Sequence, residues 1–237
     1  MTPSNNSKRS SSRNRILDRL AGHDYELLAP SLESASLALK QELYRFNEPF
    51  QYVYFPIDGM ISLVTATQDG REVETGTIGN EGMLGYSLAL GMETSPLRAI
   101  CQVPCSALAV PTSVFVQTLR QSPGLDSLVR RYVAVVLRQF TQSIACNALH
   151  GLESRLCRWL LMTHDRAGAD EFSITQEFLA EMLGVRRPTV TVVAGALQES
   201  GLISYRRGIL RILDRPGLEN ASCECYRVVR NFYERTL

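Results

Sequence analysis

Arg186, Arg187, Thr189 and Thr191 lie within one short stretch of the chain, and their chemistry suits the reading of base edges. A guanidinium donates two parallel N–H bonds to the acceptors of guanine, and threonine offers a hydroxyl together with a methyl that packs on thymine. Thr175, Gln176, Arg206 and Arg207 flank this group and bring donors of the kind that hold phosphate oxygens. The predicted chemistry is non-covalent recognition of double-stranded DNA. The first four residues are expected to touch bases, and the second four the backbone.

Such side chains act together only if rigid elements present them. Residues 173–208, SITQEFLAEMLGVRRPTVTVVAGALQESGLISYRRG, contain those elements. Leu179, Met182 and Leu183 share one face of a short helix that Ser173 or Thr175 can cap, with Glu177 in the first turn where the helix dipole favours an acid. Gly184 allows a sharp turn. A second helix begins near Arg186, takes Pro188 in its first turn at little cost, and buries Val190, Val193 and Leu197 at helical spacing. After Gly201 the alternation is that of a hairpin with Arg206, Arg207 and Gly208 at its tip. The pattern is a winged helix-turn-helix. The competing reading is a helical hairpin packed into a core, in a ligand-binding or protein-interaction module whose helix-turn-helix is structural. The adjacent arginines and the following wing favour DNA.

At 237 residues the chain is long enough for two modest domains. Its formal net charge of +1 does not nominate a nucleic-acid binder, but of the 25 basic residues only Lys8 and Lys40 are lysine, and arginine suits planar hydrogen bonding to bases and phosphates. No apolar run approaches the roughly 18 residues of a membrane span, and the start lacks a signal-peptide apolar region. A cytoplasmic protein without membrane contact is expected, with Cys101, Cys105, Cys146, Cys157, Cys223 and Cys225 reduced. The cysteine spacing suggests no zinc site: there is no C-x-x-C pair, and the histidines are limited to His23, His150 and His164. Cys223-Glu224-Cys225 offers thiols for oxidant sensing or for a metal, but the favoured reading assigns Cys223 and Cys225 to a helical tail, and no metal or cofactor is expected.

Residues 1–15 are polar, basic and free of acids, and read as a disordered arm. Helical patterns at Ile16, Leu17 and Leu20 and at Leu27, Leu28 and Leu32 follow. From Lys40 to about Val116 short alternating runs punctuated by Gly, Pro, Asn and Asp predict an antiparallel β-roll, giving a sensory domain over 16–122. A long helix spans about 124–149. Val129, Val133, Val136, Phe140 and Ile144 form one stripe on it, and Leu125, Leu128, Tyr132 and Val135 a neighbouring one. Two apolar sides need two partners, predicted as the roll and the same helix of a second copy, so residues 123–150 are expected to form a homodimer seam. A hinge is expected at His150 and Gly151, then the winged domain over 151–216 with a support helix bearing Leu156, Trp159, Leu160 and Leu161, and a C-terminal helix over 217–237. The fold class is α+β. A metal cupin enzyme would share the many short strands, but it needs clustered histidines and the roll region has none. An enzyme is therefore not expected.

A roll, a long helix and a winged helix-turn-helix in this order resemble the Crp/Fnr family of bacterial transcription regulators. The resemblance covers nearly the whole chain and is carried by Tyr54-Phe55-Pro56-Ile57-Asp58-Gly59, by Gly79-Asn80-Glu81-Gly82-Met83-Leu84-Gly85 and by residues 174–203. It implies a cyclic-nucleotide-binding-like roll, a homodimer on a pseudo-palindromic operator, RNA polymerase as a further partner, and guanine readout by Arg187. Pro188 stands where many members have Glu and cannot accept from cytosine, so the operator is expected to differ at that base pair. The effector positions implied are Glu81, Gly82 and Arg98. The family's Arg-Ser or Arg-Thr pair, which neutralises a cyclic phosphate, is replaced in the stretch Glu93-Thr94-Ser95-Pro96-Leu97-Arg98-Ala99, where Glu93 would repel the phosphate. A cyclic-nucleotide effector is accordingly not expected, and the N-terminal cysteine cluster of the oxygen-sensing members is absent.

Overall fold

A computed structural model describes residues 12–237. Most of the arm expected over 1–15 lies outside the described residues, but its last residues belong to the fold. Helix α1 (Arg15–Asp18) is capped by Asn14, whose side chain accepts from the backbone N–H of Ile16 and Leu17. The Asn14 amide also donates to the carbonyls of Pro56 and Gly82, both at 2.8 Å. A buried amide bonded on every side cannot be part of a free arm.

After α2 (Gly22–Leu28), the roll consists of β1 (Glu33–Leu37), β2 (Glu42–Tyr44), β3 (Tyr52–Pro56), β4 (Met60–Ala66), β5 (Glu72–Ile78), β6 (Arg98–Val103) and β7 (Cys105–Pro111). Its first strand thus starts before Lys40, directly after the helical pattern at Leu32. One antiparallel sheet runs β1-β7-β3 and the other β2-β6-β4-β5. Met60 to Val64 are buried without alternation because β4 is covered on both faces. Gly59 allows the turn into β4: its φ is +70°, and a Cβ there would lie 2.3 Å from the carbonyl oxygen of Pro104.

The helix α3 (Thr112–Gln121) leads to α4 (Pro123–Leu149), whose 27 residues span about 40 Å. Ser122 caps α4 by accepting from Leu125 N–H at 3.0 Å and donates to the buried Asp24 carboxylate at 2.6 Å. The buried face of α4 carries Leu125, Leu128, Val129, Tyr132, Val135 and Val136, packed with Phe55 and Phe115. Each large side chain so enclosed contributes roughly 1.5–3 kcal/mol relative to exposure. The Phe140 ring occupies the space a side chain at Gly76 of β5 would need.

This placement corrects the expected stripes. Val129 and Val136 face the roll together with Leu125, Leu128, Tyr132 and Val135, so these members of the two stripes share one buried face, which Ile144 does not join. The second apolar side keeps Ile144 of the expected stripe and adds residues from outside both: Leu137 and Ile144 are 61% and 70% exposed, and Ala134, Thr141 and Ala148 are exposed with them. Their spacing alternates four and three residues, the repeat of a coiled-coil seam.

The chain leaves α4 at His150 in extended conformation and enters α5 (Leu152–Ala167). The winged domain follows: β8 (Glu171–Ser173), α6 (Gln176–Leu183), α7 (Arg187–Glu199), β9 (Ile203–Arg206) and β10 (Ile209–Ile212), with sheet order β8-β10-β9. The expected single C-terminal helix is two, α8 (Arg215–Ala221) and α9 (Cys225–Thr236), separated by an extended Ser222. The second returns to α4 and closes on the roll through the Tyr233 hydroxyl, which donates to the Glu81 carbonyl. No helix among the described residues is long and apolar enough to cross a membrane.

Candidate nucleic-acid interface

Thr175 caps α6 through its hydroxyl, which accepts from Phe178 N–H at 3.2 Å. Leu179, Ala180, Met182 and Leu183 are buried, and Gly184 turns the chain at φ +65°. In α7 the buried positions are Val190, Ala194 and Leu197, with Pro188 in the first turn. That packing turns Arg187, Thr189, Thr191 and Val192 outward, with Arg186 exposed at the N-cap. Arg207 (φ +54°) and Gly208 (φ +80°) form the left-handed hairpin tip between β9 and β10. Arg206 and Arg207 are both exposed there.

Thr175, Gln176, Glu177, Arg187, Tyr205 and Arg207 line one groove of about 340 Å³ between α6, the start of α7 and the wing. Arg186, Thr189, Thr191 and Arg206 lie on the same exposed elements but outside that lining. In and beside the groove the side chains are pre-ordered. Thr191 donates to Gln176 Oε1 at 2.7 Å. Arg187 Nε lies 3.0 Å from Glu177 Oε1, and both side chains are more than half exposed, so the pair contributes little to stability and opens easily. Tyr205 donates to the Ile174 carbonyl at 2.8 Å, and burial raises its pKa.

Sequence alone did not bring out Val192, Glu177 and Tyr205 as parts of this surface. Val192 is 71% exposed, an apolar side chain beside the expected base readers and suited to a thymine methyl. Its place was legible: Val190, Ala194 and Leu197 mark the buried face, and Val192 falls opposite.

Comparison with known proteins decides the family. Residues 35–122 match the cyclic nucleotide-binding domain, and residues 154–221 match the Crp-like helix-turn-helix domain. The chain belongs to the Crp/Fnr family of transcriptional regulators. It is similar to the global nitrogen regulator of Synechocystis, with 24% identity over 77% of this chain and 84% of that protein, and to that of Nostoc, with 27% identity over 68% and 76%. Among solved structures, FixK2 of Bradyrhizobium japonicum has a TM-score of 0.68 at 18% identity, covering 81% of this chain and 98% of that one. The c-di-GMP-responsive global regulator CLP of Xanthomonas campestris has a TM-score of 0.65 at 17% identity, covering 82% and 100%.

In this Crp/Fnr chain the three residues expected at an effector site are tied into separate contacts. The Glu81 carboxylate accepts from Arg166 Nε and a terminal nitrogen at 2.9 and 2.7 Å, in a pair that is mostly buried. A Cβ on Gly82 would collide with the Tyr132 hydroxyl. Arg98 is held by Glu42 at 2.7 Å and by Glu72. The side chains of Glu81 and Arg98 are thus paired within the protein, and the three positions lie in separate surroundings. The roll interior is filled by Leu37, Tyr44, Phe50, Ile61, Leu63 and Ile78, among others.

The roll and the winged domain meet at Glu74 of β5. Its carboxylate accepts from Trp159 Nε1 at 3.1 Å and from Ser62 Oγ at 2.6 Å. Burial pushes its pKa up to about 7, against the opposing pull of the Ser62 bond, the Arg158 and Arg166 charges and the Trp159 bond. Because the folded pKa lies above the unfolded value of 4.5, this group's contribution to stability is full below that value and is lost as pH rises through about 7. Urea melts at pH 6, 7 and 8 are expected to show falling stability. Glu74→Gln, neutral at every pH, is expected to flatten that trend, and an unchanged slope would refute the assignment.

The cysteines are partly gathered in space. Cys146, His150, Cys223 and Cys225 have donor atoms that all lie within 4.8 Å of one another, although no linear motif joins them.

Proposed function

We propose that the protein is a homodimeric, sequence-specific transcription factor that binds a pseudo-palindromic operator. The observation that carries this reading is the exposed face of α7, where Arg187, Thr191 and Val192 stand beside a wing tipped by Arg206 and Arg207. In a dimer, the two copies of α7 enter successive major grooves about 34 Å apart. Arg186, Arg187, Thr189, Thr191 and Val192 contact bases. Thr175, Gln176, Arg206 and Arg207 position the backbone.

The seam is the exposed stripe Ala134, Leu137, Thr141, Ile144 and Ala148 on α4, paired with its symmetry mate. An isologous contact of this kind suits a two-fold operator. The output is a change in transcription through RNA polymerase bound nearby. Signal input does not come from cyclic AMP in this reading, because Arg98 is already paired with Glu42 and Glu72 and the roll interior is occupied by side chains. The reading assigns no catalytic step to the chain.

Selection of bound fragments from random duplex DNA, followed by fluorescence anisotropy, tests this reading. An enriched inverted repeat bound by a protein dimer is expected; enrichment of no sequence would overturn it. With that operator, Arg207→Ala is expected to weaken binding to operator and random DNA by a similar factor. It should also reduce the slope of log K against log salt by about one for each phosphate that Arg207 neutralises. Weakening confined to the operator would place Arg207 on a base instead.

A further inference from the structure

Three of the six cysteines gather in a place of their own. Cys146, Cys223 and Cys225 are buried and form a cluster separate from the larger hydrophobic cores. Cys146 lies in the last turn of α4, and His150 is that helix's C-cap. They are four residues apart, the spacing at which helical neighbours share a face. Cys223 lies in the link between α8 and α9, and Cys225 opens α9.

We propose that Cys146, His150, Cys223 and Cys225 bind one zinc ion as a structural Cys3His site that locks α9 to the end of α4. Tetrahedral zinc with thiolate and imidazole ligands has edges of about 3.5–3.8 Å between donor atoms. Cys146 Sγ and Cys223 Sγ are 3.5 Å apart, and Cys225 Sγ and His150 Nδ1 are 3.5 Å apart. The remaining pairs lie within 4.8 Å, so closing round an ion requires shifts of about 1 Å or less.

The surroundings fit an ion as well as the ligands do. His150 Nε2 lies 3.3 Å from Glu224 Oε1. A carboxylate on the far nitrogen holds the proton there and turns Nδ1 into the free donor, as for metal-bound histidines generally. Gln142 Nε2 donates to Cys225 Sγ at 3.0 Å, a bond that strengthens when the sulfur is a thiolate.

Charge compensation comes from α5. Arg158 interacts electrostatically with Cys146, and Arg155 with Cys146 and Cys223. The Nε–H of each is buried without an acceptor. Zinc, three thiolates and a neutral imidazole carry a net charge of −1, which these guanidiniums offset. Loading forms three Zn–S bonds and one Zn–N bond and releases three thiol protons to solvent, with no change of oxidation state.

The ion would sit beside Gly151, where the chain passes from α4 into α5 of the winged domain. It would fix two elements on either side of that junction, and so the angle at which α7 is presented. The site goes beyond the DNA-binding reading and does not depend on it.

Metal analysis of the full-length protein, purified in reducing buffer without chelator or affinity metal, is expected to find about one zinc ion per chain. Cobalt exchanged into the protein is expected to give tetrahedral d–d bands with intense thiolate-to-cobalt charge transfer. Cys225→Ser and His150→Ala should lose the ion or shift the cobalt bands, while Cys101→Ser and Cys157→Ser should keep one equivalent. Should the cluster variants fail to fold, the wild-type zinc content and cobalt spectrum still decide the matter.

A metal-free protein with free thiols would overturn the proposal. So would a Cys146–Cys223 disulfide in freshly isolated protein, an iron–sulfur chromophore, or a cobalt spectrum without thiolate charge transfer. Chelation of the zinc protein is expected to lower its melting temperature; an unchanged melt would remove the structural role.

Discussion

Replacing Leu137 and Ile144 together by Glu is expected to convert the proposed dimer to monomer and to weaken operator binding by about 100- to 10,000-fold. Both side chains project from α4 into solvent, 61% and 70% exposed, so the single chain loses little when they change; surface substitutions of this kind stay within about 0.5 kcal/mol. Their effect falls on the pair. Four carboxylates facing one another across a two-fold seam repel, and the apolar area that held the helices together is gone. A monomer then engages one half-site and forfeits the effective concentration of the second α7. Sedimentation velocity reports the assembly state and anisotropy the affinity. A dimer that survives the double substitution would move the seam elsewhere.

Arg187→Ala is the second large effect. A bidentate arginine–guanine contact discriminates by about 1–3 kcal/mol, so each half-site is expected to lose roughly 5- to 150-fold in operator affinity, with preference relaxed at one base pair. The substitution also strands Glu177, whose carboxylate pairs with Arg187 in the free protein and would then face the DNA unpaired. The double substitution Glu177→Gln, Arg187→Ala separates the two effects: it should recover binding to random DNA while leaving the relaxed base preference. Equal weakening on operator and random DNA would refute base readout by Arg187.

Much of the candidate DNA-binding surface was legible because it is local. A threonine cap, a glycine turn, Pro188 in the first helical turn and a two-residue hairpin tip each set backbone geometry within a few residues. Together they orient Arg187, Thr191 and Arg207 without help from distant chain. Val192 was readable by the same logic but hid behind its apolar type.

The surroundings of the expected effector positions were not legible, for the opposite reason. Glu81, Gly82 and Arg98 stand at plausible places along the roll, yet each is engaged by side chains far away: Arg166, Tyr132, and Glu42 with Glu72. Pairing of charges across a fold has no signature in spacing.

Helix α4 shows where the division falls. Its length and its apolar residues on two sides follow from periodicity alone, because 3.6 residues per turn maps sequence onto faces. Which face meets the roll depends on the rotation at which Phe55, Phe115 and α9 accept it, and that placed Leu137 and Ile144 outside and Val129 and Val136 inside. The cysteines are the extreme case: Cys146 and Cys223 are 77 positions apart and meet because α9 folds back along α4. Local geometry could say that this chain carries a DNA-reading element on a roll and a long helix. The free face of that helix, the partners of Glu81 and Arg98 and the gathering of Cys146, His150, Cys223 and Cys225 come from packing between distant segments, which depends on the sum of all contacts and not on any one stretch.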